Sequence, residues 1–279
     1  MRVFVTGGTG FVGRHFLRQA LAAGHDVTAV HRPGSNRELG PGRAPCWLER
    51  GLDEVAQPDL AGHQVLVHLA AHTANHPYDT LEKCRHWNVT VPLQLFTRAH
   101  QAGVSRQIAA GSCFEYGRAA ERYDFVPPDA PLEPIGTYPA SKAAASVALA
   151  KQARATGSRL SLLRIFQVFG PGEPPARFWP SLRAAAESGR DFPMSPGEQV
   201  RDFIRVEDVA GRFVQELERA VPAGQPEILH VATGQPQTLL AFATHWWTAW
   251  NARGRLQPGS MPYRAGEIMR LVSVPPAKT

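Results

Sequence analysis

The chain has 279 residues, of which 43% are hydrophobic and 19% are charged, and its formal net charge is +6. This composition is rich enough in apolar residues to form a sizeable core, so a disordered chain is excluded, and the length allows one large or two small domains. The basic residues are scattered and nearly all arginine, a pattern that argues against nucleic acid as a partner and suits small phosphorylated ligands.

Short β-branched runs alternate with longer helix-like segments through the first half of the chain. Strands are predicted at 3–5, 27–30, 65–69, 107–110 and 160–165, and helices at 12–23, 80–102 and 138–155. Strands that alternate with helices of this length are typical of βαβ units. We therefore predict an α/β fold with a Rossmann-type, doubly wound parallel sheet.

The pattern loosens after Gly170, where repeated prolines interrupt it. We therefore predict a dinucleotide-binding domain over residues 1–170 and a smaller, mainly substrate-binding C-terminal lobe over residues 171–279. Within the lobe, a segment of about 200–235 is expected to return to the Rossmann sheet. The stretch 258–279 is expected to be loop-like.

A glycine-rich turn follows the first predicted strand and precedes the first predicted helix. Glycine is needed where backbone N–H groups must closely approach a pyrophosphate, which then lies on the helix N-terminus. The strand before the turn and the amphipathic helix after it make this a specific dinucleotide signature. The coenzyme-binding residues predicted here are Gly7, Thr9, Gly10, Phe11, Val12 and Gly13.

The residues after the second predicted strand indicate which coenzyme is bound. An acid at this position normally accepts hydrogen bonds from the adenosine ribose and repels a 2′-phosphate. The run 30–37 contains no acid, and it offers His31, Arg32 and Arg37 instead. Since guanidinium groups bind phosphate well, NADP(H) is favoured, and NAD(H) stays open as the alternative.

Tyr138 and Lys142 are four residues apart, so they share one face of a helix. Carbonyl reduction needs a proton donor beside the hydride donor, and a nearby ammonium stabilises the phenolate that remains. Ser112 follows a predicted strand at the sheet edge where ligands bind, and it can orient the same carbonyl oxygen. We predict Ser112, Tyr138 and Lys142 as the catalytic residues.

These elements together resemble the extended branch of the short-chain dehydrogenase/reductase superfamily, the NAD(P)-dependent nucleotide-sugar epimerases, dehydratases and reductases. The resemblance continues through the runs 68–71, 112–117, 164–170, 200–209 and 263–267. It implies coenzyme contacts from Leu69, Ala70, Ala71 and Asn88, and it implies that Asn88 supports the Lys142 network. The candidate substrate ligands are His72, Ser112, Cys113, Glu115, Gln167, Arg177, Arg201 and Arg264.

Alternative roles stay open for three of these candidates. By the resemblance, Arg201 and Arg264 clamp a substrate pyrophosphate, or each forms an ion pair instead, for example with Asp202 or Glu267. Glu115 either hydrogen-bonds a sugar hydroxyl or pairs with a nearby arginine.

The residues after Ser112 discriminate between the reactions of the family. The 4,6-dehydratases carry Asp-Glu at the positions that Cys113 and Phe114 occupy here, so that reaction is disfavoured. The run 112–117 looks most like nucleotide-activated 4-keto-6-deoxyhexose reductases. We therefore expect an NADPH-dependent reductase in which Tyr138 gives the proton. The alternatives are a C4-epimerase, a reductase of a small non-nucleotide ketone and, in a different class, a non-catalytic NADP-sensing protein.

The remaining expectations concern partners and location. The three cysteines form no Cys-x-x-Cys pair, so neither a disulfide framework nor a metal site is expected. With no signal-peptide pattern and no long apolar run, a cytoplasmic protein with no membrane partner is expected. The expected partners are a nucleotide sugar and a second copy of the chain in a homodimer. Relatives commonly pair through helices like the alanine-rich one predicted after Tyr138.

Overall fold

The computed structural model describes residues 1–275, and these form the following strands and helices. The strands are β1 (Arg2–Thr6), β2 (Asp26–His31), β3 (Cys46–Glu49), β4 (Val65–His68), β5 (Arg106–Ser112), β6 (Arg159–Ile165), β7 (Gln167–Phe169), β8 (Phe192–Met194), β9 (Val200–Arg205), β10 (Glu227–Val231), β11 (Pro236–Thr238), β12 (Leu256–Pro258) and β13 (Arg270–Leu271). The helices are α1 (Phe11–Ala22), α2 (Gln57–Leu60), α3 (Leu81–Arg85), α4 (Val91–Gln101), α5 (Thr137–Thr156), α6 (Phe178–Glu187), α7 (Val206–Glu218) and α8 (Leu239–Ala249).

Seven parallel strands form the main sheet, in the order β3-β2-β1-β4-β5-β6-β10. The chain leaves β1 in one direction to form β2 and β3, and then crosses back to β4 on the other side. In open α/β sheets, ligands bind beyond the carboxyl ends of the strands at the point where the strand order reverses. The predicted Rossmann-type sheet is confirmed, and its reversal point lies between β1 and β4.

Helices cover both faces of this sheet. On one face, α1 and α7 pack together through buried apolar side chains such as Phe16 and Phe213, both 0% exposed. On the other face, α4 and α5 contribute Leu95, Phe96 and Leu149 to a second core. Because both faces are covered, the central strands are apolar on both sides. Within residues 1–275, no helix has both the length and the apolar character needed to cross a membrane.

The predicted helix 80–102 was wrong in detail, because this segment is interrupted. It consists of α3, a π-helical turn at His86–Thr90, and α4. Pro92, in the first turn of α4, has no N–H to donate to the preceding turn, and a wider turn accommodates it. The π-turn also buries Asn88, which is 3% exposed.

The second half of the chain contributes to the main sheet and to smaller ones. β10 extends the main sheet beside β6, whereas β9 pairs with β7, β11 and β13 in a separate sheet. The helices α6 and α8 pack with β8 and β12 around a further apolar cluster that includes Trp247. The predicted loop 258–279 contains the short strand β13, and its last residues, 276–279, lie outside the described part of the chain.

Candidate active site

The turn between β1 and α1 has no room for side chains. Gly7 has φ +76°, in the left-handed region, and a Cβ there would lie 2.7 Å from the Cα of Ala70 at the end of β4. A Cβ on Gly13 would lie 2.8 Å from the Cα of Gly8 and would overlap the Gly7 carbonyl oxygen. Each glycine is therefore required by close backbone approach, and the turn can present bare amides to an anionic ligand.

A cavity of about 760 Å³ opens from this turn and follows the carboxyl ends of the sheet strands. This volume is within the usual range for sites that hold cofactors and substrates, roughly 300–1,000 Å³. The cavity runs continuously from the glycine turn to the side chains predicted as catalytic. The predicted residues that line it are Gly7, Thr9, Gly10, Phe11, Val12, Gly13, His31, Arg32, Leu69, Ala70, Ala71, His72, Ser112, Tyr138, Lys142, Gln167 and Arg177.

The lining of this cavity is basic. Its charged side chains are Arg32, Arg50, Lys142 and Arg177, and no Asp or Glu lines it among the described residues. The Nε of Arg177 lies 3.0 Å from the carboxylate of Glu173. Burial raises the pKa of that Glu173 carboxylate to about 7. Bare turn amides together with these cations fit the diphosphate of a dinucleotide, so the site is suited to a nicotinamide coenzyme.

Ser112, Tyr138 and Lys142 converge on the inner end of the cavity. Ser112 is the last residue of β5, and its hydroxyl oxygen accepts the N–H of Phe114 at 3.3 Å. Tyr138 and Lys142 lie on successive turns of α5, and both are buried. The Lys142 ammonium donates to the carbonyl oxygen of Ala110 at 2.6 Å and keeps two further N–H groups for a ligand.

Burial controls the protonation of these groups. It raises the pKa of Tyr138 above its usual value, and the Glu115 carboxylate raises it further. Burial lowers the pKa of Lys142, whereas Glu115 raises it. Burial also lowers the pKa of His68 to about 3, and the nearby Lys142 charge acts in the same direction. At neutral pH the Tyr138 phenol therefore holds its proton, which is the form that a proton donor needs.

Asn88 lies behind the cavity wall and holds the loop after β4 against α5. Its side-chain oxygen accepts the N–H of His72 at 2.7 Å, and its amide donates to the Ser141 hydroxyl at 2.9 Å. His72 is further fixed by Asp79, at 3.0 Å. The polar atoms of Asn88 are thus used within the protein, and its coenzyme contact stays a prediction.

Two predicted substrate ligands were wrong, because both are enclosed by protein. Glu115 is 0% exposed and pairs with Arg164 at 2.9 Å, which is the alternative role that the sequence left open. Cys113 is 2% exposed and packs in the apolar cluster around Tyr116 and Phe166. Burial raises the pKa of the Cys113 thiol to about 12, so it stays protonated and unreactive.

The two arginines expected to clamp a pyrophosphate do not line the cavity. Arg201 is buried and pairs with Glu267 at 2.5 Å, which is the ion pair that the sequence left as an alternative to a pyrophosphate contact. Arg264 is exposed, and its charge acts on the pKa of His76 and of Tyr78. The exposed Arg37 is not among the residues that line the cavity, and its coenzyme contact stays a prediction.

Sequence reasoning missed several residues at the site. Arg50 lines the cavity because strand β3 ends just before it, and a four-residue strand of half-exposed side chains gives little signal of a ligand position. Phe114 and Phe166 add aromatic surface at the inner end. Tyr78 lies beside Tyr138, with ring centroids 5.6 Å apart, and stacks on His76 at 3.8 Å. Its position after an irregular loop left no periodic pattern to read.

A glycine turn at the sheet reversal point, continuous with a buried serine, tyrosine and lysine, defines a dinucleotide-dependent enzyme of the extended short-chain dehydrogenase/reductase type. Comparison with known proteins agrees, because the model of the NAD dependent epimerase/dehydratase family matches residues 3–232. The chain belongs to that family.

Individual relatives are similar over most of the chain. A UDP-glucose 4-epimerase from Corynebacterium glutamicum is 29% identical over 255 residues, which cover 84% of this chain and 76% of the relative. A 4-hydroxy-2-methyl-3-oxo-4-farnesyl-3,4-dihydroquinoline-1-oxide ketoreductase from Stigmatella aurantiaca is 27% identical over 290 residues, covering 100% of this chain and 83% of the relative. Among solved structures, the NAD dependent NDP-hexosamine 5,6-dehydratase TunA of tunicamycin biosynthesis has a TM-score of 0.84 and 27% identity, covering 98% of this chain and 88% of TunA.

The first prediction concerns the glycine turn. Gly13→Ala places a methyl group against the Gly7 carbonyl, and we expect coenzyme affinity to fall about 10- to 100-fold, since overpacking costs about 1–3 kcal/mol. Titration of coenzyme fluorescence measures this. The matched control is Gly211→Ala in α7, where a Cβ would meet only the end of the Gln19 side chain at 3.3 Å. Equal affinity for the two variants would contradict this account of the turn.

Proposed function

We propose that the protein is an NADPH-dependent reductase of a nucleotide-linked 4-keto-6-deoxy sugar. The observation that carries this proposal is one continuous basic cavity that joins the glycine turn to Tyr138, Ser112 and Lys142. A basic lining without carboxylates suits a coenzyme and a substrate that are both phosphorylated. The names of the epimerase relative and of TunA, both of which specify nucleotide sugars, support this substrate class.

The local chemistry supports reduction over dehydration. Eliminating water requires an additional acid and base beside the catalytic hydroxyl, and here the positions after Ser112 are a buried, protonated thiol at Cys113 and the aromatic Phe114. Reduction of a carbonyl needs only one proton at the carbonyl oxygen. Tyr138 holds that proton at neutral pH, because burial raises its pKa.

The proposed roles follow from these positions. The bound nicotinamide coenzyme supplies the hydride. The Ser112 hydroxyl orients the carbonyl oxygen, and the Tyr138 phenol donates its proton to that oxygen as charge develops there. Lys142 would hold the coenzyme ribose with its remaining N–H groups, and its positive charge stabilises the phenolate left on Tyr138. Burial of all three side chains excludes water and strengthens these interactions.

The preference for NADPH rests on the end of the cavity near β2 and β3. Arg32 is exposed beside the cavity, and Arg50, 3.2 Å from Asp59, lines the same end. The Arg32 guanidinium suits a 2′-phosphate, and no acid among the described lining residues would repel it. NAD(H) is the alternative coenzyme, which the name of TunA supports.

Two other candidate functions are each favoured by one observation. A C4-epimerase is supported by the Corynebacterium glutamicum relative, whose name specifies that reaction. A reductase of a non-nucleotide ketone is supported by the Stigmatella aurantiaca ketoreductase, which matches 100% of this chain. The Arg201–Glu267 ion pair also favours the reductase of a non-nucleotide ketone, because Glu267 already binds the arginine that a pyrophosphate would otherwise contact.

One experiment separates the three functions. CDP-, dTDP-, UDP- and GDP-linked 4-keto-6-deoxy sugars, UDP-glucose, and small aromatic ketones are each offered with NADPH or NADH. The proposed reductase consumes reduced coenzyme in proportion to nucleotide-linked product. Interconversion of UDP-sugars without net loss of coenzyme absorbance would identify an epimerase instead. Turnover confined to free ketones, unaffected by Arg264→Ala, would identify a reductase of a non-nucleotide ketone.

The second prediction concerns the proton donor. Tyr138→Phe keeps the aromatic ring and removes the hydroxyl, so turnover should fall by about 10²–10⁴-fold, the usual contribution of a positioned general acid. Coenzyme affinity should stay within about twofold, because the ring still packs in place. Steady-state rates and fluorescence titration give the two quantities. Tyr78→Phe is the matched control on the neighbouring ring; an equal loss in both variants would remove the special role of Tyr138.

The third prediction concerns coenzyme choice. Arg32→Ala removes a cation from the cavity, and NADPH affinity should fall about tenfold or more, since hydrogen bonds to charged groups contribute about 1.5–3 kcal/mol. NADH affinity should be almost unchanged, because NADH lacks the 2′-phosphate. Arg37→Ala is the control, since Arg37 does not line the cavity. Equal weakening of NADPH and NADH binding by Arg32→Ala would count against the 2′-phosphate contact.

A further inference from the structure

A buried ion pair lies directly behind the active site. Glu115 and Arg164 have side chains 0% and 3% exposed, and the carboxylate Oε2 accepts the Arg164 Nε–H at 2.9 Å. Burying two charges is costly, and replacing such pairs by apolar residues is often neutral or stabilising. Stability alone is therefore a poor explanation of this pair.

The second oxygen of Glu115 contacts the strand end that carries the catalytic serine. Oε1 accepts the backbone N–H of Ser112 at 2.8 Å, closing a 3₁₀ turn over Cys113–Glu115. It also lies against Gly111, where a Cβ would be only 2.9 Å away, so glycine is needed to admit the carboxylate. Since the Lys142 ammonium binds the carbonyl of Ala110, Glu115 and Lys142 contact neighbouring residues of one short stretch.

The other side of the ion pair is anchored deep in the fold. Arg164 also donates to the Tyr116 hydroxyl at 2.7 Å, and that hydroxyl lies 2.5 Å from Nε2 of His230. His230 Nδ1 in turn lies 2.8 Å from the hydroxyl of Ser273, which donates to the Val274 carbonyl. His230 is neutral, because burial lowers its pKa to about 4. The network thus contains one carboxylate and one guanidinium, held in a fixed arrangement.

We propose that Glu115 is a positioning residue, which fixes the Ser112 backbone and supplies a negative charge near the Lys142 ammonium. Its catalytic meaning rests on the proposed function, in which the Lys142 charge stabilises the Tyr138 phenolate. The two effects share one cause, because a single carboxylate at the end of β5 binds the serine backbone and supplies the nearby negative charge.

The groups around Lys142 are consistent with this assignment. From β4 comes His68, which is neutral; from α5 comes Tyr138, which holds its proton; and from β6 comes Arg164, whose positive charge is paired with Glu115. The π-turn contributes the uncharged Asn88, through Ser141. Burial alone lowers the pKa of Lys142, and Glu115 is the group that opposes this shift. Without that carboxylate, the ammonium would lose its proton at lower pH.

The direct test follows the titration of Lys142 and needs no substrate. The chain contains four lysines, so ¹³Cε-lysine labelling gives a simple NMR spectrum, in which Lys142→Met assigns the resonance. Glu115→Gln keeps the shape of the side chain and removes the charge. We expect the Lys142 midpoint to fall by about one pH unit or more, both with and without bound coenzyme. An unchanged midpoint in the folded variant would overturn the proposal.

The catalytic effect is measured with whichever substrate the panel identifies. Lys142 works in its protonated form, so activity declines as pH rises through its pKa, and this alkaline limb should move to lower pH in Glu115→Gln. We expect kcat near neutral pH to fall about tenfold or more, with KM changed much less. Glu115→Asp retains the carboxylate and should restore most of the Lys142 midpoint. A midpoint as low in Glu115→Asp as in Glu115→Gln would contradict the charge effect.

The matched control is a second buried ion pair of similar exposure. The Glu216 side chain is 1% exposed and lies 2.7 Å from that of Arg106. Neither residue lines the cavity. Glu216→Gln should lower the melting temperature as a buried-pair variant does, and leave the Lys142 midpoint unchanged. If Glu115→Gln does not fold, Arg164→Met tests the Glu115 charge by a shift in the opposite direction, because it leaves the carboxylate without its positive partner. The Lys142 midpoint should then rise, and an unchanged midpoint would overturn the proposal.

Discussion

The site depends on one close approach of backbone to backbone. The turn after β1 contacts the end of β4 at Gly7 and Ala70, and Gly13 lies against the same turn from α1. These contacts leave no room for a Cβ, so the crevice at the reversal point of the sheet is lined by amides. Because parallel strands place their carboxyl ends together, the same edge also carries Ser112 and the loop after β4.

The second constraint is burial of the reactive groups. Tyr138 and Lys142 lie in an interior where the charged form of each is disfavoured, so their protonation depends on the few charges built around them. Glu115 raises the pKa of both groups, so it keeps the phenol protonated and the ammonium charged. Both are the forms that a proton donor and its stabilising cation need at the start of a reduction.

The sequence predicted the parts of the molecule that local patterns specify. The glycine spacing, the strand–helix alternation and the pairing of Tyr138 with Lys142 all depend on residues close in the chain. The ion pairs could not be predicted in this way, because Glu115 meets Arg164 across 49 positions and Arg201 meets Glu267 across 66. Each pairing follows from how separate strands or loops meet, which also explains why Arg50 was missed as a residue of the cavity.

The most direct test of the whole account is a crystal structure of the protein with NADP(H) bound. The account predicts the diphosphate on the amides of the glycine turn, the adenosine end near Arg32, and the nicotinamide ring beside the phenol of Tyr138. A dinucleotide bound elsewhere, or a Tyr138 hydroxyl turned away from the nicotinamide by many ångströms, would contradict it.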